Sequence, residues 1–107
     1  MGKELEVTDN SLKGLLTEGI TVVRFTAHWC EPCPMIARII ERLANTANFV
    51  KCDVDINKDL TQKFFVINLP HIVILDKDEN ILTTHTGDIS EEALTDLIDE
   101  ATAKLNP

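Results

Sequence analysis

A repeated switch between short β-branched runs and segments of helical period constrains this chain most. Ile20, Val22, Val23 and Phe25 crowd residues 20–26, with Arg24 as the one charge among them. Ile72, Val73, Ile74 and Leu75 form an unbroken apolar run. Runs of this kind suit strands covered on both faces. Between them, Met35, Ile36, Ile39, Ile40 and Leu43 recur at helical spacing, with Arg38, Glu41 and Arg42 on the other side. A chain that alternates in this way is expected to build a sheet with helices on both faces.

The remaining segments fill in the order. Residues 5–7 read as a short edge strand. Thr8, Asp9, Asn10 and Ser11 offer capping oxygens for a helix through Leu12, Leu15 and Leu16, which Gly19 is expected to end. The helix containing Met35 should run over residues 34–45, with Pro34 tolerated in its first turn. Residues 49–54 read as a strand, and Asn57 as the cap of a helix over 58–65. The polar stretch 76–80 is expected to turn the chain into a strand at 81–86, giving an antiparallel hairpin. Gly87 and Asp88 interrupt the chain, and Ser90 caps a last helix. Its apolar stripe is Leu94, Leu97, Ile98, Ala101 and Leu105, and Glu91 and Glu92 complement the dipole in its first turn. The order is β-α-β-α-β-α-β-β-α. It predicts an α/β fold with a central, mixed five-stranded sheet and four flanking helices.

Composition narrows the class. With 107 residues, the chain is expected to be one domain over 1–107. A hydrophobic share of 44% and a charged share of 26% exclude disordered, collagen-like and disulfide-dense chains. Eighteen acidic against ten basic residues leave a net charge of -8. That field repels phosphate backbones, so no nucleic-acid partner is expected. No segment approaches the roughly 18 apolar residues of a membrane span. The first residues contain no apolar export segment, so the expected location is the cytoplasm. No membrane association and a monomer are expected.

Three cysteines, two of them close together, point to redox chemistry or metal binding in a reducing compartment. Cys30 and Cys33 stand three apart where a loop enters a helix, which can bring both sulfurs within disulfide reach. The helix N-terminus favours the thiolate there. The expected chemistry is thiol–disulfide exchange, with Cys30 attacking a substrate disulfide from the loop side and the more buried Cys33 resolving the mixed disulfide. A Cys-x-x-Cys motif also forms half of many zinc sites, but no second such pair or His pair completes one. A site from Cys30, Cys33 and one of His28, His71 or His85 is the metal alternative. Cys52, in a predicted central strand, reads first as a buried, inert thiol, with a regulatory thiol or a metal ligand as the alternatives. His28 and His71 flank the motif and the proline loop; each either tunes the thiolate or is a solvated loop residue, the commoner case, and His85 reads as a surface residue.

Val22-Val23-Arg24-Phe25-Thr26-Ala27-His28-Trp29-Cys30-Glu31-Pro32-Cys33 resembles the active-site strand and loop of the thioredoxin family. Val50-Lys51-Cys52-Asp53-Val54-Asp55 resembles its central strand, Leu69-Pro70-His71 its cis-proline loop, and Gly87 the glycine before its final helix. The likeness covers essentially the whole chain in order. It implies the thioredoxin fold, a cis Pro70, and a substrate groove formed by Trp29, the backbone of Leu69, Pro70 and Gly87. It also implies that the dithiol is the whole redox centre, with no other cofactor. The partners would be protein disulfides as substrates and a thioredoxin reductase as electron donor.

Several residues depart from the family pattern. Glu31-Pro32 stands where Gly-Pro is usual, and the Glu31 carboxylate either disfavours the Cys30 thiolate or points away into solvent. Arg24 occupies the position of the family's buried acid. A cation there cannot act as a general base. It either favours the Cys33 thiolate, pairs with an Asp or Glu, or snorkels to the surface. Lys51 matches the lysine that neighbours that acid, so one of the two cations must be paired or exposed. Arg38 replaces a kinking proline, which predicts a straighter helix, and Pro34 replaces a residue that is often basic.

Three functions follow. The first is a carrier that reduces protein disulfides. The second reverses the flow and makes the chain an oxidant or isomerase. The third is a binding module in which redox is incidental. The intact Cys30/Cys33 pair beside Trp29 argues against the third, and the lack of an export signal against the second.

Overall fold

A computed structural model of the chain describes residues 4–105; Met1–Lys3, part of the stretch read as carrying no export signal, and the last two positions of the expected domain lie outside the described residues. The elements are β1 (Leu5–Glu6), α1 (Leu12–Leu15), β2 (Thr21–Thr26), α2 (Cys33–Leu43), β3 (Asn48–Asp53), α3 (Lys58–Lys63), β4 (His71–Leu75), β5 (Ile81–Thr86) and α4 (Glu91–Leu105). Their order is the expected one.

One mixed sheet of five strands runs β1-β3-β2-β4-β5. β3 lies parallel to both β1 and β2. β4 lies antiparallel to β2 and pairs with β5 as the expected hairpin, with a register shift at Ile74/Leu75. Side chains alternate across the strands and create two cores. Val22, Phe49, Ile72 and Ile74 pack with Ile36 and Ile40 of α2 and Leu94, Ile98 and Ala101 of α4. Val23, Phe25, Val50, Cys52, Val73 and Leu75 pack on the other face with Leu12 of α1 and Leu60 of α3. Every residue of β2 and β4 is buried, which explains why those two segments read as continuous runs.

The helix ends differ from expectation. α1 stops at Leu15 because Leu16 is already extended, so Gly19 lies beyond the end and does not cap it. Ser11 makes no side-chain cap; its hydroxyl instead accepts the Thr8 N–H at 2.8 Å. Asn57 makes no side-chain cap on α3, because its amide donates to the carbonyls of Val7 and Asp53 in the interior. That role passes to Asp9, whose carboxylate accepts the Leu60 N–H at 3.0 Å from about fifty residues away. α3 ends at Lys63, short of the expected residue 65, since Phe65 turns to φ 55. Ser90 does cap α4, accepting the Ala93 N–H at 3.1 Å. α2 begins one residue earlier than expected, at Cys33, and closes at Leu43.

Candidate active site

The sheet brings four chain segments to one of its ends. Register pairs Thr26 with Asp53, Phe25 with His71, and His71 with Thr86. The loops that follow β2, β3 and β5 and the one that precedes β4 therefore emerge together. Two of them are tied directly, since Gly87, at φ 96, donates its N–H to the Pro70 carbonyl at 2.8 Å. The positive φ explains a glycine at this position. The Leu69–Pro70 peptide is cis, as the family resemblance implied, and Pro70 is buried while Leu69 is half-buried.

The loop after β2 carries the cysteines. The Cys30 N–H donates to Ala27 and the Cys33 N–H to Cys30, so a turn delivers the chain into α2. Pro32 stands at the N-cap, and Pro34, inside the first turn, has no N–H to satisfy. Cys30 and Cys33 are joined as a disulfide with their Cα atoms 5.5 Å apart, inside the range such a bond requires. Both are buried, Cys33 at 3% exposure and Cys30 at 7%, so the expected difference in access is small in the oxidised state. Glu31 between them is exposed.

Trp29 stands at the surface. It is 64% exposed, and its indole Nε1–H donates to Asp55 Oδ2 at 2.9 Å. This bond joins the loop after β2 to the loop after β3. Asp55 was not foreseen as a site residue, although its i+2 spacing from Asp53 puts two carboxylates at the end of one strand.

Beneath the start of α2 lies a cavity of about 380 Å³, lined among others by Arg24, Lys51, Asp53, His28 and both cysteines. Arg24 is buried in it and does not snorkel. Its Nε and Nη2 donate to the two carboxylate oxygens of Glu4 at 2.9 and 2.8 Å. Of the readings open for Arg24, carboxylate pairing is the one realised. Glu4 was missed as its partner. The signal lies in β1 register: Glu6 pairs with Lys51 and Lys51 with Arg24, and alternation places Glu4 on that same face. Lys51 is half-buried in the cavity wall, so the pairing requirement on the two cations is met through Arg24.

The other candidates separate from this cluster. Cys52 is fully buried on the opposite face of the sheet. Burial pushes its thiol up to about 12, with the Asp9 and Asp53 carboxylates acting in the same direction. That holds it as the unreactive thiol. His71 is buried in β4, its Nδ1 2.8 Å from Thr86 Oγ1. Burial lowers its pKa, and the nearby His85 adds to the effect. His85 is half-buried in β5, with its Nε2 3.0 Å from the carbonyl of exposed Asp88. His28 is exposed. No group of three or more His, Cys, Asp or Glu side chains capable of holding a metal occurs among the described residues.

A Cys-x-x-Cys disulfide at the mouth of a helix, on a mixed sheet with a cis-proline loop beside it, defines a thiol–disulfide oxidoreductase. The thioredoxin family model matches residues 4–100, and the chain belongs to that family. It is 34% identical over 100 residues to thioredoxin from Bacillus subtilis (strain 168), covering 90% of this chain and 95% of that protein. It is 34% identical to thioredoxin from Staphylococcus saprophyticus over the same shares. Among solved structures it resembles a variant of thioredoxin from Halobacterium salinarum NRC-1, with a TM-score of 0.85, 31% identity, and 94% and 91% of the two chains covered. The fold likewise matches Malassezia sympodialis thioredoxin, with a TM-score of 0.83, 22% identity, and 95% and 93% covered.

Proposed function

We propose that this protein is a single-domain electron carrier that reduces disulfides in other proteins. Cys30 is the nucleophile and Cys33 the resolving thiol. The observation that carries this reading is the Cys30–Cys33 disulfide at the head of α2 beside an indole left in solvent. A thiolate at Cys30 attacks one sulfur of a substrate disulfide and forms a mixed disulfide. Cys33 then attacks Cys30 and releases the reduced substrate. The substrate lies in a groove formed by Trp29, the backbone of Leu69, Pro70 and Gly87. A large exposed aromatic held by a hydrogen bond supports this assignment, because it offers apolar contact area without rotamer loss on binding.

Arg24, Glu31, Pro32 and Lys51 tune the pair. The buried ion pair with Glu4 supports a small effect of Arg24 on the potential, since the carboxylate offsets the cation. Exposed Glu31 is screened by water. A potential in the reducing range follows. The dithiol is the whole redox centre, and the protein works as a cytoplasmic monomer re-reduced by a thioredoxin reductase. No described helix is long and apolar enough to cross a membrane.

A redox titration in glutathione buffers, read by Trp29 fluorescence and thiol alkylation, tests this. The expected result is a two-electron transition at or below the cytosolic glutathione poise of about −220 to −320 mV. A transition well above that range would make the chain an oxidant or isomerase. In a lysate, Cys33→Ser should accumulate mixed disulfides through Cys30. Absence of trapped proteins would leave a binding module.

A further inference from the structure

The proton on Cys33 needs a destination, a requirement that rests on the reductase reading above. Before the Cys33 sulfur can attack a mixed disulfide, its thiol must ionise. The residue at the family's acid position cannot help. Arg24 is a permanent cation, and both of the Glu4 oxygens are engaged by it.

A different carboxylate opens into the same cavity. Asp53 ends β3 two residues beyond Lys51, so both side chains take the sheet face that α2 covers. Asp53 is 7% exposed, and its register partner Thr26 ends β2 just before the cysteine loop. Asp53 and Cys33 line this cavity together, with the small side chains of Thr26 and Ala37 beside them. Asp53 Oδ1 accepts the Asp55 N–H at 2.9 Å, which fixes the carboxylate at the strand end. The charged and titratable groups that line the cavity with it are Arg24 from β2, paired with Glu4, Lys51 from β3, His28 and Cys30 from the loop, and Cys33 from α2. Among the described residues, Asp53 is the one carboxylate in that lining. A volume of about 380 Å³ is many times that of one water, roughly 30 Å³, so water can connect carboxylate and sulfur.

We propose that Asp53 replaces the missing acid, accepting the Cys33 proton during resolution and returning it to the departing substrate sulfur. In that step a Cys33 lone pair forms the new bond to Cys30. The Cys30–substrate bond breaks, its electron pair leaving on the substrate sulfur, and that sulfur takes the proton from Asp53. The dithiol is oxidised to the disulfide, the substrate is reduced, and Asp53 ends as the carboxylate it began as.

Stopped-flow reaction of the reduced full chain with a bis-nitrobenzoate disulfide reads the two steps separately. Attack by Cys30 releases one coloured thiolate, and attack by Cys33 on the mixed disulfide releases the second. This leaving group needs no proton, so the second phase reports Cys33 deprotonation alone. In the wild type the second phase should vary by less than about threefold between pH 6 and 8. In Asp53→Asn, which keeps the acceptor for the Asp55 N–H, it should slow by about a hundredfold at pH 6 and rise about tenfold per pH unit. The first phase should stay within about twofold, and Asp53→Glu should restore a shallow profile. An unchanged second phase in Asp53→Asn overturns the proposal, as does its loss in Lys51→Met with Asp53→Asn unaffected. If Asp53→Asn does not fold, a steep second phase in the wild type overturns the proposal and a shallow one supports it. A wild type that releases only one equivalent sinks the reductase reading itself, and the role of Asp53 with it.

Discussion

Arg24 on β2 and Glu4, the residue just before β1, form a two-pronged ion pair that spans β3, the strand between β1 and β2 in the sheet. The Arg24 side chain is 6% exposed and that of Glu4 18%. A cation at this depth is costly in isolation, and the first described residue of the chain supplies its compensation.

Glu4→Gln should therefore act on stability and on redox poise. Breaking a fully buried pair costs about 3–5 kcal/mol, and the partial exposure of Glu4 puts this one near or below the lower end. The unpaired cation should also favour the reduced thiolate and raise the potential, by about 30 mV for each 1.4 kcal/mol. Urea unfolding and a glutathione titration on the same sample measure the two effects. A destabilised protein with an unchanged potential would show that the Arg24 charge does not reach the sulfurs.

Asp55 anchors the indole of Trp29 from the neighbouring loop. Asp55→Ala removes an exposed hydrogen bond, worth about 0.5–1.5 kcal/mol. We expect little change in Tm and a rise in KM for a protein disulfide of roughly two- to tenfold, with kcat retained. A fall in kcat at constant KM would move Asp55 from holding the groove wall to the chemistry.

His71 should make stability pH-dependent. Its folded pKa lies below the ordinary value because of burial and His85, and its buried Nε2 has no hydrogen-bond partner among the described residues. The folded state therefore prefers the neutral ring, and the unfolded state takes up a proton first. This contribution is fully present above the unfolded pKa of about 6.5 and is lost as pH falls through it toward the folded value. The slope from this one group cannot exceed about 1.4 kcal/mol per pH unit. Denaturation midpoints of wild type and His71→Asn should diverge between pH 7 and 5, with the wild type falling faster; parallel curves would remove His71 as a source.

Asp9→Ala tests a cap that the local sequence does not show. The Asp9 carboxylate holds the Leu60 N–H in the first turn of α3. Its loss should cost about 0.5–2 kcal/mol, the range for a helix N-cap. Asn57→Ala should cost more, since the Asn57 amide bridges two interior carbonyls. Equal losses would contradict the exchange of roles.

Amino-acid order alone determined the elements, the pairing logic and the disulfide motif. β-branched runs can only be strands when both faces are covered, as β2 and β4 are, and the turn at 76–80 dictates an antiparallel return. Helix ends were less legible. Ser11 and Asn57 are good capping residues by type, yet a better partner elsewhere claimed each side chain. The same holds for charge. The sequence shows that Arg24 must be answered, and only the sheet order, which lays β1 beside β3 and β3 beside β2, decides that Glu4 answers it. Local order fixes periodicity because neighbouring residues share backbone geometry. Partners for buried polar side chains such as Arg24 and Asn57 come from segments distant along the chain, and burial decides which of them must meet.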